Sequence, residues 1–207
     1  MTNPWQQVPL ADYEAHMNAA AVDQAAALSA LFGEVLALRH PASVAVLGVA
    51  GGNGLERIDP QQTQRVVGID LNPSYLDAVR QRFAHLRGLE LHAVDLTNQT
   101  LELAPVDLVH AALIFEHAGT ERCLDNALAL AAPTGALAVV LQLPGEASGN
   151  VGGSGVASIQ KLADHFTLVE PEAFTQKLAA RGLRIIHESR LPVPEGKQFW
   201  LGVFMRG

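Results

Sequence analysis

The sequence predicts an α/β fold, a parallel sheet covered by helices on both faces and closed by an antiparallel hairpin. Three observations point there. Short apolar runs alternate with amphipathic stretches. The alternation ends in two β-like runs joined by only Pro192 to Lys197, too short for a parallel crossover. A glycine cluster follows the first apolar run and opens a helix-like stretch, where an open parallel sheet receives a ligand.

Residues 11–39 read as helix, in one or two pieces, with Asp12 as a first-turn cap. Leu28, Leu31, Phe32, Val35 and Leu38 fall on one stripe of period 3.6. Pro41 ends the pattern. Strands are expected at Val44–Leu47, Val66–Ile69, Leu89–Val94, Val106–Leu113 and Ala136–Leu143. Helices are expected near 53–59, 73–87 and 119–132, the second started by Pro73, Ser74 and Asp77. Residues 145–155 hold five glycines and read as a loop, either a lid over substrate or a plain connector. Helices over 158–166 and 171–181, the latter stopped by Gly182, precede the hairpin runs Leu183–Leu191 and Gln198–Met205.

Composition narrows the function. Apolar residues are 49% and charged residues 17% of 207, which excludes disorder throughout the chain. Fourteen Lys and Arg against 21 Asp and Glu leave a formal charge of −7, a poor match to a nucleic-acid backbone. The single cysteine, Cys123, excludes an internal disulfide and a Cys-rich zinc site, and reads as a small buried hydrophobe suited to a reducing cytoplasm. The eight histidines show no metal-binding spacing, so no metal is expected. No apolar run approaches a membrane span, and Met1–Leu10 lacks the pattern of a secretory signal. The chain reads as one unit over 1–207, with 1–40 as an N-terminal helical cap and 41–207 as the α/β core. Monomer and homodimer are both compatible with it.

The ligand expectation rests on Gly48-Val49-Ala50-Gly51-Gly52-Asn53-Gly54 and on two acids, Asp70 and Asp95, at the ends of strands two and three. Glycines let the chain turn sharply and let a ligand reach the main chain. A carboxylate at the tip of strand two is placed to accept both ribose hydroxyls of a nucleoside. Asp95 is placed to face an adenine amino group, with Leu96 as apolar cover. The bland alternative makes the glycines a plain turn and both acids turn caps. A dinucleotide is a poorer match, because Arg57 stands where that fingerprint has its third small residue.

These segments, with Ala93-Val94-Asp95-Leu96, Val106-Asp107-Leu108-Val109 and Ala132-Pro133-Thr134-Gly135-Ala136-Leu137, resemble in order and spacing the motifs of class I S-adenosylmethionine-dependent methyltransferases. The resemblance covers about residues 40–143, and the terminal hairpin is similar to the family's reversed last strand. It implies a Rossmann-like, doubly wound sheet of seven strands with the last antiparallel. It implies S-adenosylmethionine as cofactor and cofactor contacts at Gly48, Val49, Ala50, Gly52, Asn53, Gly54, Asp70, Leu71, Asp95, Leu96 and Ala112. Ala50, Gly52 and Gly54 would wrap the methionine part. The chain departs from the family at Gly48, where an acid is usual, and at Ala50, where a glycine is usual. Asp12–Met17 and Leu191–Lys197 also resemble a bacterial subgroup of the family.

The expected function is methyl transfer to a small-molecule acceptor. The alternatives are a nicotinamide-dependent oxidoreductase and a non-catalytic binder of an adenosyl compound. Phe115, Glu116 and His117 follow strand four, on the rim where the acceptor would sit. His117 reads first as a polar surface residue and second, with Glu116, as a candidate base. His110, inside strand four, reads as a satisfied core or edge histidine. Tyr13, His16 and Met17 share a helix face that either shapes the substrate site or packs on the sheet.

Overall fold

The computed structural model describes residues 3–20, 22–145, 155–160, 162, 165–194 and 196–207. It holds β1 (Ser43–Leu47), β2 (Arg65–Asp70), β3 (Leu89–Ala93), β4 (Val106–Ala112), β5 (Ala131–Leu143), β6 (Leu183–Pro192) and β7 (Gln198–Arg206). They form one sheet of seven strands in the order β3-β2-β1-β4-β5-β7-β6. Neighbours from β3 to β5 are parallel, and β7 runs antiparallel to both β5 and β6. This is the doubly wound sheet with a reversed last strand that the sequence predicts.

Side chains alternate across the sheet, so each strand feeds two cores. Val44 and Val46 face the layer of α2 (Gln24–Arg39) and α3 (Pro73–Arg82). Ala45 and Leu47 face the layer of α5 (Arg122–Leu130) and α7 (Pro171–Ala179). Helices thus cover both faces. α1 (Leu10–Asn18) packs on α2 and on α6 (Ala157–Gln160).

Several local expectations change. The N-terminal helix is two helices, and the first is entered from Pro9 without a side-chain cap. Asp12 instead accepts the Ser158 hydroxyl at 2.6 Å, tying α1 to α6. Leu28, Leu31, Phe32 and Val35 are buried, but Leu38 is 44% exposed because the stripe has run past the sheet. The 53–59 helix shrinks to a single 3-10 turn at Leu55–Arg57, entered from the left-handed Gly54 (φ +92°) and left through extended Ile58. Pro60, two residues on, cannot continue a helix. α3 is capped by Asn72, whose side chain accepts the Ser74 N–H, rather than by Ser74 itself. α3 also ends at Arg82, and α5 is shorter than expected because β5 already begins at Ala131. Of the expected 158–166 helix, the described residues contain only α6. The loop over 145–155 lies outside the described residues apart from its two end glycines.

Phe32 shows why the turn after β1 needs glycine. A Cβ on Gly54 would lie 2.9 Å from the Phe32 ring. Phe32 is 2% exposed and stacks against His110 at 4.5 Å between ring centroids. Phe32→Ala should therefore cost about 3–5 kcal/mol, as for other buried Phe truncations. Urea denaturation followed by circular dichroism checks this value.

Candidate functional site

The carboxyl ends of β1 to β5 open into one cleft of about 1120 Å³, counting the space open to solvent. Along the rim stand Asp95 after β3, Asp70 at the tip of β2, Gly48 and Ala50 after β1, Ala112 ending β4 and Gln142 near the end of β5.

Asp70 is fixed from two sides. Its Oδ2 accepts the Ala50 N–H at 2.9 Å and its Oδ1 accepts the Asn72 N–H at 2.9 Å. These two bonds use one acceptor position on each oxygen, and the Leu71 N–H also acts on the carboxylate. Burial pushes the Asp70 pKa up, opposed by the N–H groups of Asn72, Ala50 and Leu71. The net direction is upward. The loop turns through left-handed conformations at Gly48 (φ +69°) and Ala50 (φ +46°). A non-glycine residue is strained there, and the Asp70 bond holds Ala50 in place.

Asp95 is more occupied. Its Oδ1 accepts from the Thr97 N–H at 3.0 Å and hydroxyl at 2.6 Å, and its Oδ2 from Asn98 Nδ2 at 3.2 Å. The carboxylate caps its own turn, as the bland reading has it, and also lines the cleft beside Leu96.

The loop residues divide. Gly48 and Ala50 line the cleft, and Leu71 borders it next to Asp70. Val49 is buried in the sheet core. Gly52 and Asn53 face a second pocket beside α1, with Glu14 and Arg82. Those two form an ion pair, and Arg82 Nη1 also donates to Gly51 O at 3.1 Å. A Cβ on Gly52 would meet the Phe83 ring, as one on Gly54 would meet Phe32. These two glycines make room for aromatic packing. The space a side chain at Gly48 would need is held by Ile114, whose Cδ1 lies 2.9 Å from that Cβ position.

The other half of the cleft is apolar and aromatic. Tyr13, His16 and Met17 of α1 line it, together with Trp5, His117 and Phe166. His117 is not a surface residue. It sits in the short α4 (Phe115–Ala118), with its ring centroid 4.8 Å from Trp5 and 5.1 Å from Phe166. Burial and the nearby His165 push its pKa down to about 4, so the ring is neutral at pH 7. Its Nδ1 and the Trp5 Nε1 are buried without hydrogen-bond partners among the described residues. Phe115 points the other way, into the core against Phe174 at 4.9 Å, and does not border the cleft.

Glu116 is 2% exposed and lies behind the cleft wall. Its Oε1 accepts the Gln142 N–H at 2.9 Å, and its Oε2 has no partner among the described residues. Burial raises its pKa to about 7, against the pull of the Gln142 N–H. His110 is a core histidine, but its Nδ1 has no partner among the described residues, so it is not fully satisfied. Burial lowers it to about 4. Burial also pushes the Cys123 thiol up to about 12, the behaviour of an inert buried hydrophobe. Among the described residues no cluster of three His, Cys, Asp or Glu could hold a metal ion, and no helix is long and apolar enough to cross a membrane.

Sequence reasoning did not single out Trp5, Gln24, Tyr75, Gln142, Ile114 or Phe166, all of which line the cleft. Gln142 carried a signal, as a polar residue interrupting the apolar run of β5. The others depend on how distant segments fold over the rim.

Residues 46–137 match a family model described as a methyltransferase domain. No curated protein matches the chain in sequence. Among solved structures it is similar to the N-methyltransferase NodS from Bradyrhizobium japonicum WM9 in complex with S-adenosylhomocysteine, with TM-score 0.69, 16% identity and 99% of each chain covered. It is also similar to magnesium protoporphyrin IX methyltransferase from Synechocystis PCC 6803, with TM-score 0.64, 12% identity, and 88% of this chain and 83% of that one covered. The [4+2]-cyclase SpnF shares the fold as well, with TM-score 0.67, 14% identity, and 89% and 82% covered. At these identities the likeness is one of fold.

The raised Glu116 pKa has a consequence for stability. Its folded value, about 7, lies above its unfolded value near 4.5. The folded state therefore holds the proton more tightly, and stability falls as pH rises from about 4.5 to 7. His110 and His117 act in the opposite sense, losing stability as pH falls from about 6.5 toward 4. Glu116→Gln isolates the carboxyl. Between pH 5 and 7.5, wild type should lose up to about 3 kcal/mol more than the variant in urea titrations.

Proposed function

We propose that this class I S-adenosylmethionine-dependent methyltransferase delivers its methyl group to a small, uncharged acceptor held against Trp5, His117 and Phe166. One observation carries the reading. The Asp70 carboxylate stands at the tip of β2 on the wall of a cleft that continues into an aromatic compartment.

The residues present fit the cofactor. Asp70 would take the two ribose hydroxyls. Val94, Leu96 and Ala112 offer apolar surface to an adenine ring, with Asp95 at its edge. Gly48 and Ala50 bring main chain to the middle of the cleft. When bound, the cofactor supplies a methyl group activated by a sulfonium. The chain's own part is to orient the two partners in line and to keep water out. Trp5, Tyr13, Ile159, Leu162 and Phe166 form that dry wall.

His117 is the residue placed to take a proton. Its neutral ring offers a lone pair to an acceptor O–H or N–H that loses its proton during transfer, as a weak base because burial lowers its pKa to about 4. No Lys or Arg lines the cleft among the described residues, so a phosphorylated or carboxylated acceptor finds no counter-charge. The overall charge of −7 likewise disfavours a nucleic acid.

The nicotinamide alternative has less support. Arg57 fills the place of the third small residue and packs on α2, with its Nε donating to Ser29 Oγ at 2.6 Å. The non-catalytic binder keeps one argument, the departures at Gly48 and Ala50.

Transfer of labelled methyl from S-adenosylmethionine to pools of uncharged aromatic and heterocyclic acceptors tests the proposal. Incorporation supports it, and cofactor binding with no transfer to any pool supports the binder. Asp70→Ala should weaken S-adenosylhomocysteine binding by about 1.5–3 kcal/mol in calorimetry, the worth of hydrogen bonds to a charged group. His117→Phe should keep cofactor binding and lower kcat by about 100-fold or more on an accepted substrate.

A further inference from the structure

The cofactor's amino-acid end carries an ammonium and a carboxylate. The family's usual acid after strand one is absent here, and Ile114 fills the space beside Gly48. Neither a Lys nor an Arg lines the cleft among the described residues. A zwitterion still needs an acceptor for one group and donors for the other.

Both stand at the far side of the cleft. Gln24 is 6% exposed, lines the cleft, and begins α2. Its Nε2 donates to Gln142 Oε1 at 3.3 Å, which fixes the amide. Its Oε1 accepts no hydrogen bond among the described residues. Because Gln142 lies near the carboxyl end of β5, this bond also sets the start of α2 at the rim. The residue before it, Asp23, is left-handed (φ +40°) and makes no side-chain cap bond. Among the described residues the first N–H groups of this 16-residue helix have no side-chain cap, and they carry its positive end.

We infer that Gln24 and the N-terminus of α2, braced by Gln142, hold the zwitterionic amino-acid end of S-adenosylmethionine in place of the missing acid. The Gln24 Oε1 accepts from the ammonium, and the first N–H groups of α2 face the carboxylate. The site is uncharged, so it discriminates by hydrogen bonding rather than by ion pairing. This rests on the cofactor placement proposed above.

The test uses ligands with and without that end. Calorimetry compares S-adenosylhomocysteine with 5′-methylthioadenosine, which keeps the nucleoside and lacks the amino acid. Gln24→Met preserves side-chain bulk and removes both polar atoms. It should lower S-adenosylhomocysteine affinity by about tenfold or more and leave 5′-methylthioadenosine within about twofold. Gln24→Glu should bind decarboxylated S-adenosylmethionine, an amine without the carboxylate, more tightly than wild type does. Equal losses for both ligands in Gln24→Met would mark a packing role and overturn the inference, as would no loss for either. Failure of wild type to bind S-adenosylhomocysteine at all would overturn the cofactor placement itself.

Discussion

Asp70 joins the parts of the site that have to move together. One carboxylate oxygen holds the Ala50 N–H of the loop after β1, and the other holds the Asn72 N–H of the turn into α3. The two tightest turns on the rim are thereby set against each other across adjacent parallel strands. The Ala50 bond adds to those of the Gly48 and Val49 N–H groups, which both donate to Ile69 O, in holding the loop. The same carboxylate lines the cleft.

The departures from the methyltransferase pattern that the sequence resembles have physical counterparts. Gly48 is left-handed, and Ile114 from the segment after β4 presses on the space its Cβ would take. Ala50 keeps the left-handed turn that a glycine would adopt without strain, and the Asp70 bond offsets part of the cost. Gly48 and Ala50 bring no charged side chain to the cleft. Buried amides, Gln24 and Gln142, stand farther along the rim. A site built this way depends on the placement of neutral hydrogen-bonding groups, which only a dry, well-packed cleft makes effective.

Much of the fold was legible because it depends on period and punctuation. The apolar runs mark β1 to β5, and the six residues from Pro192 to Lys197 permit only a hairpin. The place of Asp70 on the rim was legible because it ends the second apolar run. The segment after β4 was not. Leu113 adopts a left-handed conformation (φ +54°) that no pattern in Leu113–Ala118 announces. The segment beyond it sends Phe115 into the core and brings His117 to the cleft, the reverse of what their chemistry alone indicates. Gly52 and Gly54 also have a packing reason that the string alone does not reveal: each yields space to an aromatic ring, Phe83 and Phe32. Trp5 and Phe166 belong to segments that meet only after the sheet has formed.

The most direct test of the central claim is a crystal structure with S-adenosylhomocysteine bound. The account requires both ribose hydroxyls within hydrogen-bonding distance of Asp70, with the thioether sulfur turned toward the compartment of Trp5 and His117. A nucleoside lying elsewhere, or one whose ribose leaves Asp70 untouched, would contradict it.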